Sequence, residues 1–239
     1  MEIQTIYEDN HIIVVIKPQN VPCCPDESGD PNLLDGIKFY LDQNETNKTG
    51  GRFCGLVHRL DRVTGGVMVY AKTSKAASRL SQQIRDGTFK KKYLAVVVGE
   101  PKHREEKLTD YLLKNETKNI VSVVPRATVG AKRAEMTYKV LNIAKQVSLV
   151  EIILLTGRSH QIRVQMSNAG NPVFGDTKYG GDKLGKGWNI ALWANELVFT
   201  HPTTTDTMRF IVNPPETVPW TGFEFVRKIR KASSKEDAT

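Results

Sequence analysis

Gly55-Leu-Val-His-Arg-Leu-Asp-Arg-Val-Thr-Gly-Gly66 is the segment from which the rest of the chain is read. One carboxylate, Asp61, stands between Arg59 and Arg62, in a loop closed by two glycines that let the backbone approach a ligand closely. The neighbouring arginines favour an ionised Asp61, the form that acts as a nucleophile. The plainer alternative is an Asp–Arg pair that only fixes a turn, since loop ion pairs are common and contribute little.

Working outward, Gly66–Lys72 continues this loop as a strand. Upstream, Ile3–Glu8 and the β-branched His11–Lys17 read as two strands around an Asp9-Asn10 turn. Pro18, Pro22 and Pro25 mark an irregular stretch, and Asp30-Pro31 opens a helix with Leu33, Leu34, Ile37, Phe39, Tyr40 and Leu41 as its apolar face. Residues 43–53 are polar and Gly-rich, a loop. Downstream, Ser74 is the expected cap of a helix that Gly87 stops. Strands follow at Tyr93–Val98, Ile120–Val124, Arg133–Ala144 and Val147–Leu155, the last two as a hairpin, while 103–119 reads as a loop. Ser159 starts a helix ending near Gly170, and 172–187, with five glycines, is a loop. Asn189–Thr200 and Met208–Val212 read as strands, with a closing helix near 221–231. Without a regular β-α-β-α beat the expected class is α+β, with a large mixed, mostly antiparallel sheet flanked by helices. Residues 1–231 are expected to form a single domain, and 232–239 a disordered polar tail.

The 239 residues carry a formal net charge of +8 and are 39% hydrophobic, an ordinary globular balance that excludes disorder as the main state. The positive charge is concentrated. Residues 1–50 hold 3 basic and 9 acidic groups, residues 51–150 hold 20 and 8, and the remainder 11 and 9. A basic middle region attracts a polyanion, of which nucleic acid is the usual one; a solvated lysine-rich surface is the bland alternative. The densest apolar run, Ile12–Ile16, is far too short to span a membrane, and no targeting segment is visible. Three cysteines, two of them adjacent, suit neither a secreted disulfide framework nor a zinc site and point to the cytoplasm. Five histidines form no metal-ligand spacing, so no metal is expected. P-loop, dinucleotide-binding and serine-hydrolase signatures are all absent.

Three further segments join the Asp61 loop: Gly157-Arg-Ser-His-Gln-Ile-Arg163, Lys91-Lys-Tyr-Leu-Ala95 and Gly175-Asp-Thr-Lys-Tyr-Gly180. Arg163 has a guanidinium fork suited to a carboxylate from another segment. Tyr93 is otherwise a core aromatic, and Asp176 is read as a turn-forming residue. In this order the four segments resemble the RluA family of pseudouridine synthases. That family's H-R-L-D-x-x-T-S-G matches His58–Gly66 with Gly65 in place of the serine, and G-R-x-H-Q-I-R matches Gly157–Arg163 throughout. K-x-Y-x-A and G-D-x-x-Y-G match as well, and Lys17-Pro18 and His201-Pro202 stand where the family has K-P and H-P. Asn20 replaces the family's glycine after K-P, and Leu192-Trp193-Ala194 replaces L-H-A. Nearly the whole chain, about residues 5–215, is covered, and the family's common N-terminal RNA-binding domain is not expected.

The resemblance implies isomerisation of uridine to pseudouridine in structured RNA, ribosomal or transfer, after the base is flipped out of its stack, with no cofactor or metal. It implies Asp61 as the essential carboxylate, Arg163 as its orienting partner and Tyr93 as the residue stacked on the base. His58, Arg59, Leu60, Arg62, Thr64, His160, Gln161 and Ile162 would line the substrate, with Arg59 filling the space the base leaves. A monomer is the default. Two other readings are a catalytically silent RNA-binding protein or chaperone on the same fold, and a metal-dependent nuclease using Asp61, Asp176 and Asp182. The arginines around Asp61 argue against the nuclease.

Overall fold

The computed structural model describes residues 1–44, 53–180 and 185–223. Among these the elements in chain order are β1 (Gln4–Glu8), β2 (Ile12–Lys17), α1 (Leu33–Asn44), β3 (Gly55–Leu56), β4 (Gly65–Ala71), α2 (Ser74–Arg85), β5 (Lys90–Val98), β6 (Glu105–Asn115), β7 (Ile120–Val123), β8 (Lys132–Ala144), β9 (Val147–Leu154), α3 (Gln161–Asn168), β10 (Leu192–Thr200) and β11 (Thr207–Ile211). A single 3-10 turn, Trp220–Gly222, follows. This is the expected α+β class, with a large, mostly antiparallel sheet. The chain divides into two compact units, Met1–Lys91 with Ala194–Val212, and Lys92–Trp193 with the described residues from Asn213 onward.

In the first unit the strand order is β1-β2-β4-β10-β11, with β3 also on β4. β2 and β4 are buried on both faces, which is why Ile12–Ile16 and Val67–Ala71 read as continuous apolar runs rather than alternating ones. Their antiparallel register runs from Ile12 opposite Ala71 to Lys17 opposite Gly66. It therefore sets Lys17 beside the exit of the Asp61 loop. α1 begins one residue beyond Asn32, whose side-chain oxygen accepts from the Asp35 N–H at 3.0 Å. Leu33, Ile37 and Leu41, spaced by four, are buried, whereas Phe39 is 62% exposed. Phe39 is thus not on the apolar face, because two residues beyond Ile37 a helix has turned about 200°. α2 is capped by Thr73 rather than Ser74: the Thr73 hydroxyl accepts from Ala76 N–H at 3.1 Å.

The second unit has the order β5-β9-β8-β6-β7, and all its registered pairs are antiparallel, including the expected β8–β9 hairpin. The segment read as a loop at 103–119 contains β6, an eleven-residue strand paired along β8. Its sequence, EEKLTDYLLKN, is dominated by charged and polar residues and lacks an apolar alternation, because a single side chain of the strand, Leu112, is fully buried. Leu112, Val121, Ala134 and Val164 form a core beneath α3, joined by Val123 and Tyr179. The closing helix near 221–231, the tail 232–239 and most of the 43–53 loop lie outside the described residues.

Gly66 has φ +127°, and a Cβ there would stand 2.3 Å from the Ala194 carbonyl oxygen and 2.5 Å from its nitrogen. Both obstacles are backbone and cannot swing away. Gly66→Ala is expected to cost about 3 kcal/mol or more, read as a lower urea midpoint.

Candidate active site

The Asp61 loop is anchored from beneath. The Lys17 side chain has no exposed surface, and its ammonium donates to the carbonyls of Pro18 (2.9 Å), Arg62 (2.9 Å) and Thr64 (2.7 Å). Gln19 adds the Val63 carbonyl at 3.2 Å. On the other side of Asp61, the Cys23 thiol donates to Leu60 O at 3.1 Å and its sulfur accepts from Leu60 N–H at 3.3 Å. Thr64 N–H closes a turn onto the Asp61 carbonyl at 2.9 Å. Asp61 itself is half-buried, held between two fixed stretches of backbone. Burial pulls the Lys17 pKa down to about 8, partly offset by the Cys23 thiol and the Asp61 carboxylate nearby.

The residues around Asp61 have distinct environments. Arg62 is turned onto the preceding acidic segment. Its guanidinium meets Asp26 at 2.9 and 3.0 Å, Asp30 at 2.5 Å and the Ser28 hydroxyl. The Ser28 and Arg62 hydrogen bonds hold the Asp26 pKa near 2. Arg59 is exposed and has no partner among the described residues. Leu60 and Thr64 are buried. His58 is buried too, its Nε2 accepting from Val69 N–H at 3.2 Å, so the ring proton sits on Nδ1. Burial, then the charge of Lys91, pushes its pKa well below the ordinary histidine value. His58 thus stays neutral and ties the loop to β4.

The remaining candidates lie in the second unit. Tyr93 is buried on β5, opposite Ile152 of β9. At the entry to α3, His160 adopts a left-handed conformation, φ 51°. Its Nδ1 lies 2.6 Å from the Tyr179 hydroxyl, which accepts from Val121 N–H at 2.9 Å. Gln161 is buried and fully engaged inside the protein. Its oxygen accepts from Thr156 Oγ1 (2.8 Å) and Arg158 N–H (3.0 Å), and its nitrogen donates to Glu135 O and Gln165 Oε1 (both 3.0 Å). Ile162 is buried. Arg163 makes a bidentate pair with Asp176, Nε to Oδ2 and Nη2 to Oδ1, both 2.7 Å, and its guanidinium lies 5.1 Å from the centre of the Tyr179 ring. Asp176 Oδ1 also accepts from Lys178 and Tyr179 N–H at 3.0 and 3.2 Å. Asp176 is therefore the turn former the sequence suggested, and also a partner of Arg163.

A family model described as RNA pseudouridylate synthase matches residues 11–168, a span that includes the Asp61 loop, Tyr93 and Arg163. The chain belongs to the RNA pseudouridylate synthase family. Ribosomal large subunit pseudouridine synthase C of Vibrio vulnificus (strain CMCP6) is 36% identical over 217 residues, 88% of this chain and 64% of that protein. The protein of the same name from Escherichia coli (strain K12) is 34% identical over 212 residues, 85% of this chain and 64% of its own length. The uncharacterized RNA pseudouridine synthase YhcT of Bacillus subtilis (strain 168) is 33% identical, with 86% and 66% covered. The chain thus spans slightly under two thirds of these relatives' lengths. Human RNA pseudouridylate synthase domain containing 4 superposes with TM-score 0.75 at 23% identity, covering 89% of both chains, a likeness of fold.

Within this pseudouridylate synthase fold the residues legible from motifs form two sets, one per unit: His58, Arg59, Leu60, Asp61, Arg62 and Thr64 in the first, Tyr93, His160, Gln161, Ile162 and Arg163 in the second. Lys17, Cys23, Asp176 and Tyr179 were not assigned site roles from the sequence. Lys17 and Asp176 had a signal in the K-P and G-D-x-x-Y-G matches; Cys23 had none. Of the nuclease triad, Asp176 is committed to Arg163, and Asp182 lies outside the described residues.

Two outcomes follow from these anchors. Asp176→Asn takes from the buried Arg163 the carboxylate of its bidentate pair and is expected to cost about 3 kcal/mol by urea unfolding. Lys17 binds its proton more weakly folded, with a pKa of about 8, than unfolded, at the ordinary 10.5. The unfolded chain thus holds more protons between these values, and stability contributed by this group rises with pH across that window. Relative to Lys17→Met, the native protein is expected to gain stability from pH 8 to 10; a pH-independent difference would overturn the assignment.

Proposed function

We propose that the chain converts uridine to pseudouridine in RNA, with residues 1–231 acting as one catalytic domain. The observation that carries this reading is the family match across a loop whose single carboxylate is braced on both sides. In the reaction the bond from N1 of the base to C1′ of the ribose breaks, the base turns, and C5 bonds to C1′. C5 gives up its proton and N1 takes one, so no atom is gained or lost and no cofactor or metal is called for.

Asp61 acts at the sugar, either by adding covalently or by stabilising and deprotonating it during cleavage; both routes need a fixed carboxylate. Arg163 orients Asp61 with the part of its fork that Asp176 leaves over, and Tyr93 stacks on the base and passes a proton. Positioned proton transfer is typically worth ~10²–10⁴-fold. The target base must leave its stack, at a cost of a few kcal/mol, which favours a stem-loop. Arg59, exposed and unpaired, is suited to fill the gap; Arg62, held by Asp26 and Asp30, is not. Its part is to fix the loop, as that of His58, Leu60 and Gln161 is to hold the backbone. The relatives named for the large ribosomal subunit favour ribosomal over transfer RNA. A cytoplasmic monomer completes the reading; no described helix is long and apolar enough to cross a membrane.

Purified protein and its Asp61→Asn form, incubated in EDTA with unmodified large-subunit ribosomal and transfer RNA transcripts, test the proposal by site-resolved pseudouridine mapping. Modification of a defined site by the native protein is expected, with a loss of about a thousandfold or more in the variant and RNA affinity kept within a few-fold. Ready turnover by Asp61→Asn sinks the assignment. Tight binding by the native protein with no modification of any transcript points to the silent-binder reading instead.

A further inference from the structure

Three consecutive lysines open β5, and strand alternation gives them different surroundings. Lys90 donates to the Gly87 carbonyl at 2.6 Å in the exposed turn before the strand. Lys92 is ion-paired with Glu151 at 3.2 Å. Lys91 points to the opposite face from both. Its ammonium lies 5.6 Å from the centre of the Phe89 ring, which itself packs on the buried His58 ring with centroids 5.3 Å apart. Among the described residues no carboxylate, carbonyl or hydroxyl bonds to it.

A cation stripped of much of its water and given only an aromatic face is under-compensated. A cation–π contact returns ~0.5–2 kcal/mol, whereas desolvating an ammonium costs several. Burial accordingly draws the Lys91 pKa down to about 8. His58 supplies no negative charge, being neutral, and its own pKa is lowered further by Lys91. An anion brought by a ligand is the missing compensation. Strand periodicity puts Lys91 on the face of β5 that carries Tyr93, two residues on, a spacing of roughly 6–7 Å. On the proposed function Tyr93 meets the target base, so the anion near that face is the backbone phosphate of the same stretch of RNA.

We infer that Lys91 is a phosphodiester-binding residue, contacting the RNA backbone beside the nucleotide that meets Tyr93. The inference rests on the proposed function for its RNA, though not for the under-compensated charge itself. The Phe89 ring lies beside the Lys91 ammonium, which favours one position for the charge over free sweeping through solvent. Such a contact positions the strand without reading its sequence.

The test labels the full chain with trace acetic anhydride and quantifies each lysine by mass spectrometry, without any substitution that might unfold it. The probes are an unmodified large-subunit ribosomal RNA transcript, a uridine 10-mer, the same 10-mer with uncharged methylphosphonate linkages, and free uridine. Saturating transcript or charged 10-mer is expected to slow Lys91 labelling about fivefold or more, with the uncharged 10-mer and uridine without effect. Equal protection by the uncharged probes would mean a base contact, and no protection with RNA bound would mean no contact; either overturns the inference. Binding across a salt series is the second readout. Lys91→Met is expected to lower the slope of log affinity against log salt by about 0.7–0.9, with Lys91→Arg retaining it. An unchanged slope in Lys91→Met, with native binding otherwise, also overturns it. Pseudouridine mapping on the same native sample separates the two proposals. Protection without isomerisation sinks the activity alone, isomerisation without protection sinks the Lys91 contact alone, and failure to retain any RNA sinks both.

Discussion

Lys17 ends a strand whose other side chains are all apolar, and its ammonium has no exposed surface, so it must find oxygen atoms within the protein or surrender its proton. It finds three, all main-chain carbonyls, and two of them belong to residues that flank the turn following Asp61. The β2–β4 register that sets Lys17 opposite Gly66 is a consequence of burying two β-branched runs against each other. A slip by one residue would turn Lys17 to the other face and leave Arg62 and Thr64 without their donor. Core packing of the first unit and placement of its carboxylate are therefore one constraint, not two.

The second unit solves the same problem with opposite chemistry. There a buried guanidinium, Arg163, is fixed by a buried carboxylate, Asp176, whose remaining lone pairs take the N–H groups of Lys178 and Tyr179. Tyr179 in turn meets His160 and the backbone of β7, so the turn after α3 and the turn before it are tied to one aromatic ring. Gln161 uses both ends of its amide inside the protein and holds the left-handed step at His160 against β8. Such fully satisfied polar groups rigidify a site, because any displacement leaves a buried donor or acceptor unmatched.

How much of this was legible in the sequence depended on whether the signal was local. β2, β4 and the β8–β9 hairpin are dense in β-branched and apolar residues and were read correctly, and the Asp61 loop announced itself by one carboxylate between two arginines. β6 escaped the sequence pattern because a strand of mixed charge with a single fully buried side chain has no apolar alternation to read. Phe39 counts as apolar in composition, but its phase in α1, about 200° from Ile37, turns it to solvent. The partners of Arg62 lie 32 to 36 residues away, that of Arg163 lies 13 away, and the two loop carbonyls bound by Lys17 lie 45 and 47 away, and no pattern within one sequence encodes such distances. Motif order carried the chemistry; only the fold carried the anchoring.

The charge distribution takes its meaning from these pairings. Several carboxylates of the acidic first fifty residues are engaged within the protein, Asp26 and Asp30 by Arg62, and Asp9 by His201 and the turn before β2. In the second unit Glu135 takes Lys107 and Arg133, and Glu151 takes Lys92. Carboxylates thus neutralise cations whose work is structural. Among the cations without such a carboxylate, exposed Arg59 is two residues from Asp61 and half-buried Lys91 two residues from Tyr93. A cation without an internal carboxylate can meet a polyanion without breaking an ion pair of the fold, which is the electrostatic advantage of spending the carboxylates on Arg62, Lys92, Lys107 and Arg133.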